Sequence, residues 1–140
     1  YGDPRDLHSF PTRRSSDLAV LSLLCSTVVA IERIPELESI ARERLLRLGF
    51  SNVEVMGGDG STGCISRAPF DRIVVAAAAP EVPDSLKAQL APGGILVAPV
   101  GGRGTQTLTK VTRMADGSFV TARGFACRFV PLIGEEGWRD

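Results

Sequence analysis

The sequence predicts an α/β protein, a doubly wound sheet with antiparallel strands towards its C-terminal end. Two patterns predict it. Between Thr27 and Gly101, short β-branched runs alternate with segments of helical periodicity, the order that builds a parallel sheet with crossover helices. Beyond Gly101 the pattern changes to short alternating runs separated by turns, the mark of antiparallel strands. Length agrees, since 140 residues make one domain or part of one and can bury a real core.

"TVVAIE" (Thr27–Glu32) is β-branched and suited to a strand buried on both faces. Pro35 sits where a first-turn proline belongs, with Glu36 and Glu38 at the positive end of a helix. Leu37, Ile40, Ala41, Leu45 and Leu48 repeat at helical spacing, and Gly49 is a natural terminator. "NVEVM" (Asn52–Met56) is the next strand, followed by the loop "GGDGSTG". "FDRIVVAAAAP" (Phe70–Pro80) reads as a buried strand, and "VPDSLKAQL" (Val82–Leu90) as a short helix with apolar Val82, Leu86 and Leu90. "APGG" reads as a turn before the strand "ILVAPVG" (Ile95–Gly101). Gln106–Arg113, Ser118–Phe125 and Cys127–Ile133 complete the predicted antiparallel set, with "ADG" turning the first pair.

Composition excludes several functions. Apolar residues make up 44% and charged residues 23%, an ordinary globular balance. Sixteen basic residues oppose sixteen acidic ones, so no global field favours nucleic acid or an anionic membrane. No run approaches the ~20 apolar residues of a membrane span. Arg13-Arg14 ahead of an apolar run imitates a twin-arginine signal, but Asp17, Ser22, Ser26 and Thr27 interrupt it. Cys25, Cys64 and Cys127 are odd in number and far apart, with no metal-ligand spacing. They read as small, reduced, mostly buried side chains in a cytoplasmic protein, and no metal site is expected.

In a doubly wound sheet the ligand crosses the carboxyl ends of the strands. Glu32 stands at one such end, where its two oxygens could accept both hydroxyls of a nucleoside ribose; it could equally be a solvated acid at a helix start. Asp59, inside "GGDG" after the next strand, could accept an adenine amine, the glycines letting backbone approach the ring, or could belong to an ordinary turn. "AAAAP" (Ala76–Pro80) offers close packing, a flat floor beneath a cofactor, or both. The only histidine, His8, lies in a segment whose origin is questioned below, so a histidine-based hydrolase has no support.

"VVAIERIPEL", "NVEVMGGDG", "APFDRIVVAAAAPEVPDSLKAQLAPGGILVAPVG" and "RFVPLIGEEGW" resemble the protein-L-isoaspartate O-methyltransferases from Ala19 to about Trp138. The resemblance implies the class I S-adenosyl-L-methionine-dependent fold and methyl transfer to isoaspartyl carboxylates of damaged proteins, in a monomer that binds neither nucleic acid nor membrane. It implies that Glu32 holds the cofactor ribose and Asp59 with Gly60 the adenine edge. Ala76, Ala77 and Ala78 would line the cofactor pocket near the methyl group. Arg128, Phe129, Val130 and Pro131 would form part of the peptide groove. No side chain is expected to act as a catalytic acid, base or nucleophile. The family often has threonine where Ala76 stands and an aromatic residue where Ser61 stands. A NAD-dependent oxidoreductase, a methyltransferase with another acceptor, and a non-catalytic module of the same fold remain as alternatives.

The head departs from this pattern. A glycine-rich turn is expected ~20 residues ahead of Glu32, and the family register falls on Pro11-Thr12-Arg13-Arg14-Ser15. No glycine stands between Gly2 and Gly49, although the chain has 15. "HSFPTRRSSDL" (His8–Leu18) resembles the translation of a short-read sequencing adapter. The expectation is that residues 1–18 are a non-native head. Residues 19–140 are then a partial methyltransferase domain lacking its first strand and glycine-rich loop. Loss of about five buried apolar side chains at ~1.5–3 kcal/mol each would leave the literal chain inactive.

Overall fold

The computed structural model describes residues 16–139. Expectations resting on residues 1–15, among them the glycine-turn register at Pro11–Ser15 and the Arg13-Arg14 pair, lie outside the described residues. The chain forms two compact units that divide between Gly58 and Asp59.

The first unit opens with helix α1 over residues 16–24, an element the sequence reading did not anticipate. Leu18 and Ala19 of α1 pack on the core cluster, and the buried Ser22 returns its hydroxyl to the Ala19 carbonyl at 2.6 Å. The helix crosses the Leu18/Ala19 junction without a break. Asn52 closes its end, donating to the carbonyls of Ser22 and Cys25 at 2.8 and 3.0 Å and so satisfying acceptors that a helix terminus leaves open.

Strand β1 (Val28–Glu32), helix α2 (Pro35–Arg47) and strand β2 (Val53–Gly57) follow as a parallel β-α-β unit. Val28 stands opposite Val53, and Glu32 opposite Gly57. Pro35 opens α2 as predicted, with Glu36 and Glu38 in the first turn and Arg44 and Arg47 in the last, each sign favoured by the helix dipole. Gly49, at φ 81°, takes the left-handed conformation that ends the helix. Ala41, Leu45 and Val55 form the core. Leu48, expected on the apolar face, is 65% exposed because it is the cap residue beyond the last helical turn.

The second unit holds one four-stranded sheet in the order β3-β4-β5-β6, comprising Phe70–Val74, Leu90–Gly101, Gln106–Arg113 and Phe119–Cys127. β3 and β4 are parallel, while β4–β5 and β5–β6 are antiparallel. Helix α3 (Asp84–Ala88) carries Leu86 onto this sheet, where it joins Leu90, Leu96, Ala98 and Val111 in the core.

Four expectations change. The predicted strand over Phe70–Pro80 ends at Val74; Ala78 and Ala79 make only isolated bridges further on. "APGG" is not a turn between elements but a bulge inside β4. Between the pairs Phe70–Leu90 and Arg72–Ile95, Asp71 alone faces Ala91–Gly94, and Gly93 at φ 77° makes the excursion. The third antiparallel run does not exist as such: Cys127 ends β6, and Pro131 bridges Ala78 in parallel. β1 and β3 are also not buried on both faces. β1 is half-buried throughout and Val74 is 61% exposed, because among the described residues each strand pairs on one side only.

Candidate functional site

The first unit places Glu32 at the carboxyl end of β1, half-buried. One carboxylate oxygen accepts the Ile34 backbone N–H at 3.0 Å, the helix-start role, and the Glu32 carbonyl accepts the Gly58 N–H at 3.1 Å. The turn after β2 is therefore tied back to the end of β1. A concavity of about 600 Å³ in this unit lies along β2, lined by Arg42, Val53, Glu54, Val55, Met56 and Gly57, and includes none of the predicted site residues. Arg42 spans it, pairing with Glu38 and donating to the Val55 carbonyl at 2.8 Å.

The second unit holds every other predicted residue. Asp59 is half-buried and its carboxylate is engaged by the protein. Oδ1 accepts the Ser61 backbone N–H at 2.8 Å and the Ser61 hydroxyl at 2.7 Å, and Oδ2 accepts the Glu135 N–H at 2.7 Å. Beside Gly60 the space is open, since a Cβ there would meet no atom within 4 Å. The loop beyond is held by Gln89, 3% exposed, which donates to the Thr62 carbonyl and accepts the Cys64 N–H, both at 2.8 Å.

Ala76 is exposed, Ala77 half-buried and Ala78 buried. The backbone of Ala78 is fully committed: its N–H donates to the Val130 carbonyl at 2.7 Å, and its carbonyl accepts the Leu132 N–H at 2.8 Å and the Trp138 indole N–H at 3.1 Å. Arg128, Phe129, Val130 and Pro131 are exposed, and Val130 and Pro131 meet this backbone. The predicted floor and the predicted groove are thus two sides of one parallel bridge.

Several residues that build this arrangement were missed. Gln106, 2% exposed, accepts the Phe129 N–H at 2.9 Å and donates to the Gly102 carbonyl at 2.6 Å, fixing the start of the tail. Trp138 lies beneath the Arg103 guanidinium at 5.0 Å. Trp138 is the only tryptophan, and "GEEG" places two glycines around a turn; both were usable signals. Gln106 gave none, because its role depends on a strand end meeting the tail. Among the described residues, no cluster of histidine, cysteine, aspartate or glutamate could hold a metal, and no helix is long and apolar enough to cross a membrane. None of the three cysteines is in a disulfide, with Cys64 buried and Cys25 and Cys127 half-buried.

The sequence profile described as protein-L-isoaspartate(D-aspartate) O-methyltransferase matches residues 18–137. The chain is 49% identical over 121 residues to the protein-L-isoaspartate O-methyltransferase of Trichlorobacter lovleyi, covering 86% of this chain and 56% of the relative. It is 52% identical over 114 residues to that of Staphylothermus marinus, covering 81% and 51% respectively. The chain spans about half the length of the relatives it matches. A Plasmodium falciparum enzyme of the same description, solved with S-adenosyl-L-homocysteine, superposes with TM-score 0.66 at 28% identity, over 76% of this chain and 52% of that one. A second protein-L-isoaspartate O-methyltransferase structure gives TM-score 0.72 at 29% identity, over 79% and 35%. The fold is that of the class I methyltransferases. With the profile covering residues 18–137, from within α1 to the turn just before Trp138, the chain belongs to the protein-L-isoaspartate(D-aspartate) O-methyltransferase family.

Proposed function

We propose that this chain carries the cofactor- and acceptor-binding half of an S-adenosyl-L-methionine-dependent methyltransferase that acts on L-isoaspartyl carboxylates in damaged proteins. The observation that carries the reading is the Ala78 bridge. The small-residue segment assigned to the methyl donor and the segment assigned to the acceptor share a hydrogen-bonded backbone, so each positions the other.

Taken each within its own unit, the residue types suit such a cofactor. Glu32 supplies carboxylate oxygens suited to ribose hydroxyls, Asp59 an acceptor suited to an amine, and Gly60 an open approach for a ring. Ala76, Ala77 and Ala78 present no bulky or charged side chain towards it. When bound, the cofactor would supply a transferable methyl on a sulfonium, with the neutral thioether as the leaving group. Arg128, Phe129, Val130 and Pro131 hold the acceptor peptide. The acceptor carboxylate, with a pKa of ~4, is ionised at neutral pH and needs no general base. The protein's task is alignment, which alone can contribute ~7–11 kcal/mol.

In this reading residues 1–18 are foreign to the domain and 19–140 are part of it. The family match, which begins at residue 18, supports that division. The protein acts as a cytoplasmic monomer, without nucleic acid or membrane, and its reduced cysteines suit that setting. Two experiments test this. Long-read sequencing of the source DNA across the Leu18 and Ala19 codons is expected to reveal an apolar strand and a glycine-rich turn upstream of Ala19. In-frame confirmation of His8–Leu18 would instead favour a non-catalytic module. Competition between S-adenosyl-L-homocysteine and NAD for the sequence-restored protein is expected to favour the former, and preference for NAD would replace the methyltransferase with an oxidoreductase.

A further inference from the structure

Ser61, in the loop after β2, is 0% exposed. Its hydroxyl does two things at once. It donates to Asp59 Oδ1 at 2.7 Å and accepts the Glu136 backbone N–H at 3.0 Å.

The same turn is held at two further points. Glu135 donates its N–H to Asp59 Oδ2, and the Glu136 carboxylate accepts the N–H of Ser85 at 3.0 Å and pairs with the Ser85 hydroxyl. The Gly137 N–H closes the turn on the Gly134 carbonyl at 3.2 Å. Among the described residues no non-glycine has a positive φ, so the chain turns at Glu135 and Glu136 with negative φ at both. Gly134 lies so close to the clamp that a Cβ there would stand 2.7 Å from the Asp59 carboxyl carbon. Immediately before the turn lies Leu132, and just after it Trp138; both bond to Ala78, and the Trp138 N–H returns to the Leu132 carbonyl at 2.7 Å.

We propose that Ser61 is a positioning residue of the acceptor tail: its hydroxyl relays the Asp59 carboxylate to the backbone of the 134–137 turn and thereby holds Val130–Leu132 against Ala78. The functional consequence rests on the reading of residues 128–131 as the acceptor segment. A buried hydroxyl is worth this place because its loss strands both the Glu136 N–H and one share of the Asp59 carboxylate. The loop after β2 and the acceptor tail become one rigid piece, and a residue remote from the acceptor sets its groove.

The test is amide hydrogen exchange on the isotopically labelled full chain, read at Ala78, Leu132 and Trp138, with Val111 in β5 as the internal reference. Ser61→Ala is expected to accelerate exchange at the three tail-linked amides roughly 10- to 100-fold while Val111 is unchanged. Emission from Trp138, the only tryptophan, is expected to shift to the red as the ring leaves Arg103 and Ala78. Asp59→Asn, which turns a donor towards the Glu135 N–H, should do the same, and the double substitution should be no worse than the stronger single one. Three results overturn the proposal: an unprotected Leu132 amide in the unsubstituted chain, a tail unaffected by Ser61→Ala, or equal acceleration at Val111. None of these readings uses the cofactor. Failure of the relay is therefore distinguishable from failure of the methyltransferase reading, which the cofactor competition decides separately.

Discussion

Replacing Gln106 by leucine removes one side chain that serves two backbone groups. Its amide nitrogen loses the Gly102 carbonyl and its oxygen loses the Phe129 N–H. Leucine matches the volume closely, so no cavity enters the estimate. Gly102 is exposed and Phe129 is 40% exposed, so water recovers part of each lost bond. Two net hydrogen bonds at ~1 kcal/mol each give about 2 kcal/mol. For a domain of this size that is a fall in Tm of about 6–8 °C. Thermal unfolding followed by circular dichroism measures the global effect, and amide exchange at Phe129 measures the local one. Gln106→Glu separates the two contacts, because it keeps an oxygen for the Phe129 N–H while losing the donor to Gly102. Phe129 is expected to stay protected with glutamate and to lose protection with leucine. A Tm change under about 1 °C for Gln106→Leu, with Phe129 still protected, would refute the idea that this glutamine anchors the tail.

Other outcomes follow from the same geometry. Leu96, 0% exposed between Ile73 on β3 and Val111 on β5, should cost about 2–5 kcal/mol when cut to alanine, seen as a lower urea midpoint with an unchanged slope. Asp116 accepts the Ser118 hydroxyl and backbone N–H, which hold its carboxyl below the ordinary 3.8. A depressed native pKa contributes stability above the unfolded value and loses it as pH falls through the native one, so the Met114–Ser118 turn should loosen below pH ~3.8. Carbon-detected NMR titration of Asp116 checks this, and Asp116→Asn should abolish the dependence. Glu32→Ala should weaken S-adenosyl-L-homocysteine binding by the sequence-restored protein at least ~10-fold by calorimetry, the loss expected for charge-assisted hydrogen bonds.

Much of the fold was legible because it depends on local chemistry. Pro35 and Gly49 bracket α2, and the alternation of Gln106–Arg113 gave its strand to the residue. The misreadings arose where tertiary contacts override local signals. "APGG" has turn residues, but β3 holds both sides of it, so it becomes a bulge within β4. "CRFVPLI" has strand composition, yet Ala78 offers its backbone in parallel and draws the chain out of the antiparallel ladder. α1 was hidden because its helical period is diluted by serine, and its stability comes from Leu18 and Ala19 on a core assembled from later residues. At the site, the residue types at Glu32, Asp59 and Ala76–Ala78 were readable from their places after strands. That Asp59 and Ser61 also grip a turn more than 70 residues later was not, since sequence carries no sign of which distant N–H groups reach a carboxylate.

The proposed function is methyl transfer to an isoaspartyl carboxylate by a protein built on residues 19–140. Its most direct measurement is transfer of a labelled methyl group from S-adenosyl-L-methionine to a peptide containing one L-isoaspartyl residue, beside the same peptide with ordinary aspartate. The protein used is the one encoded at the source locus, with the sequence upstream of Ala19 restored. Base-labile label is expected on the isoaspartyl peptide and none on the aspartyl peptide. Bound cofactor with no transfer, or equal labelling of both peptides, would contradict it.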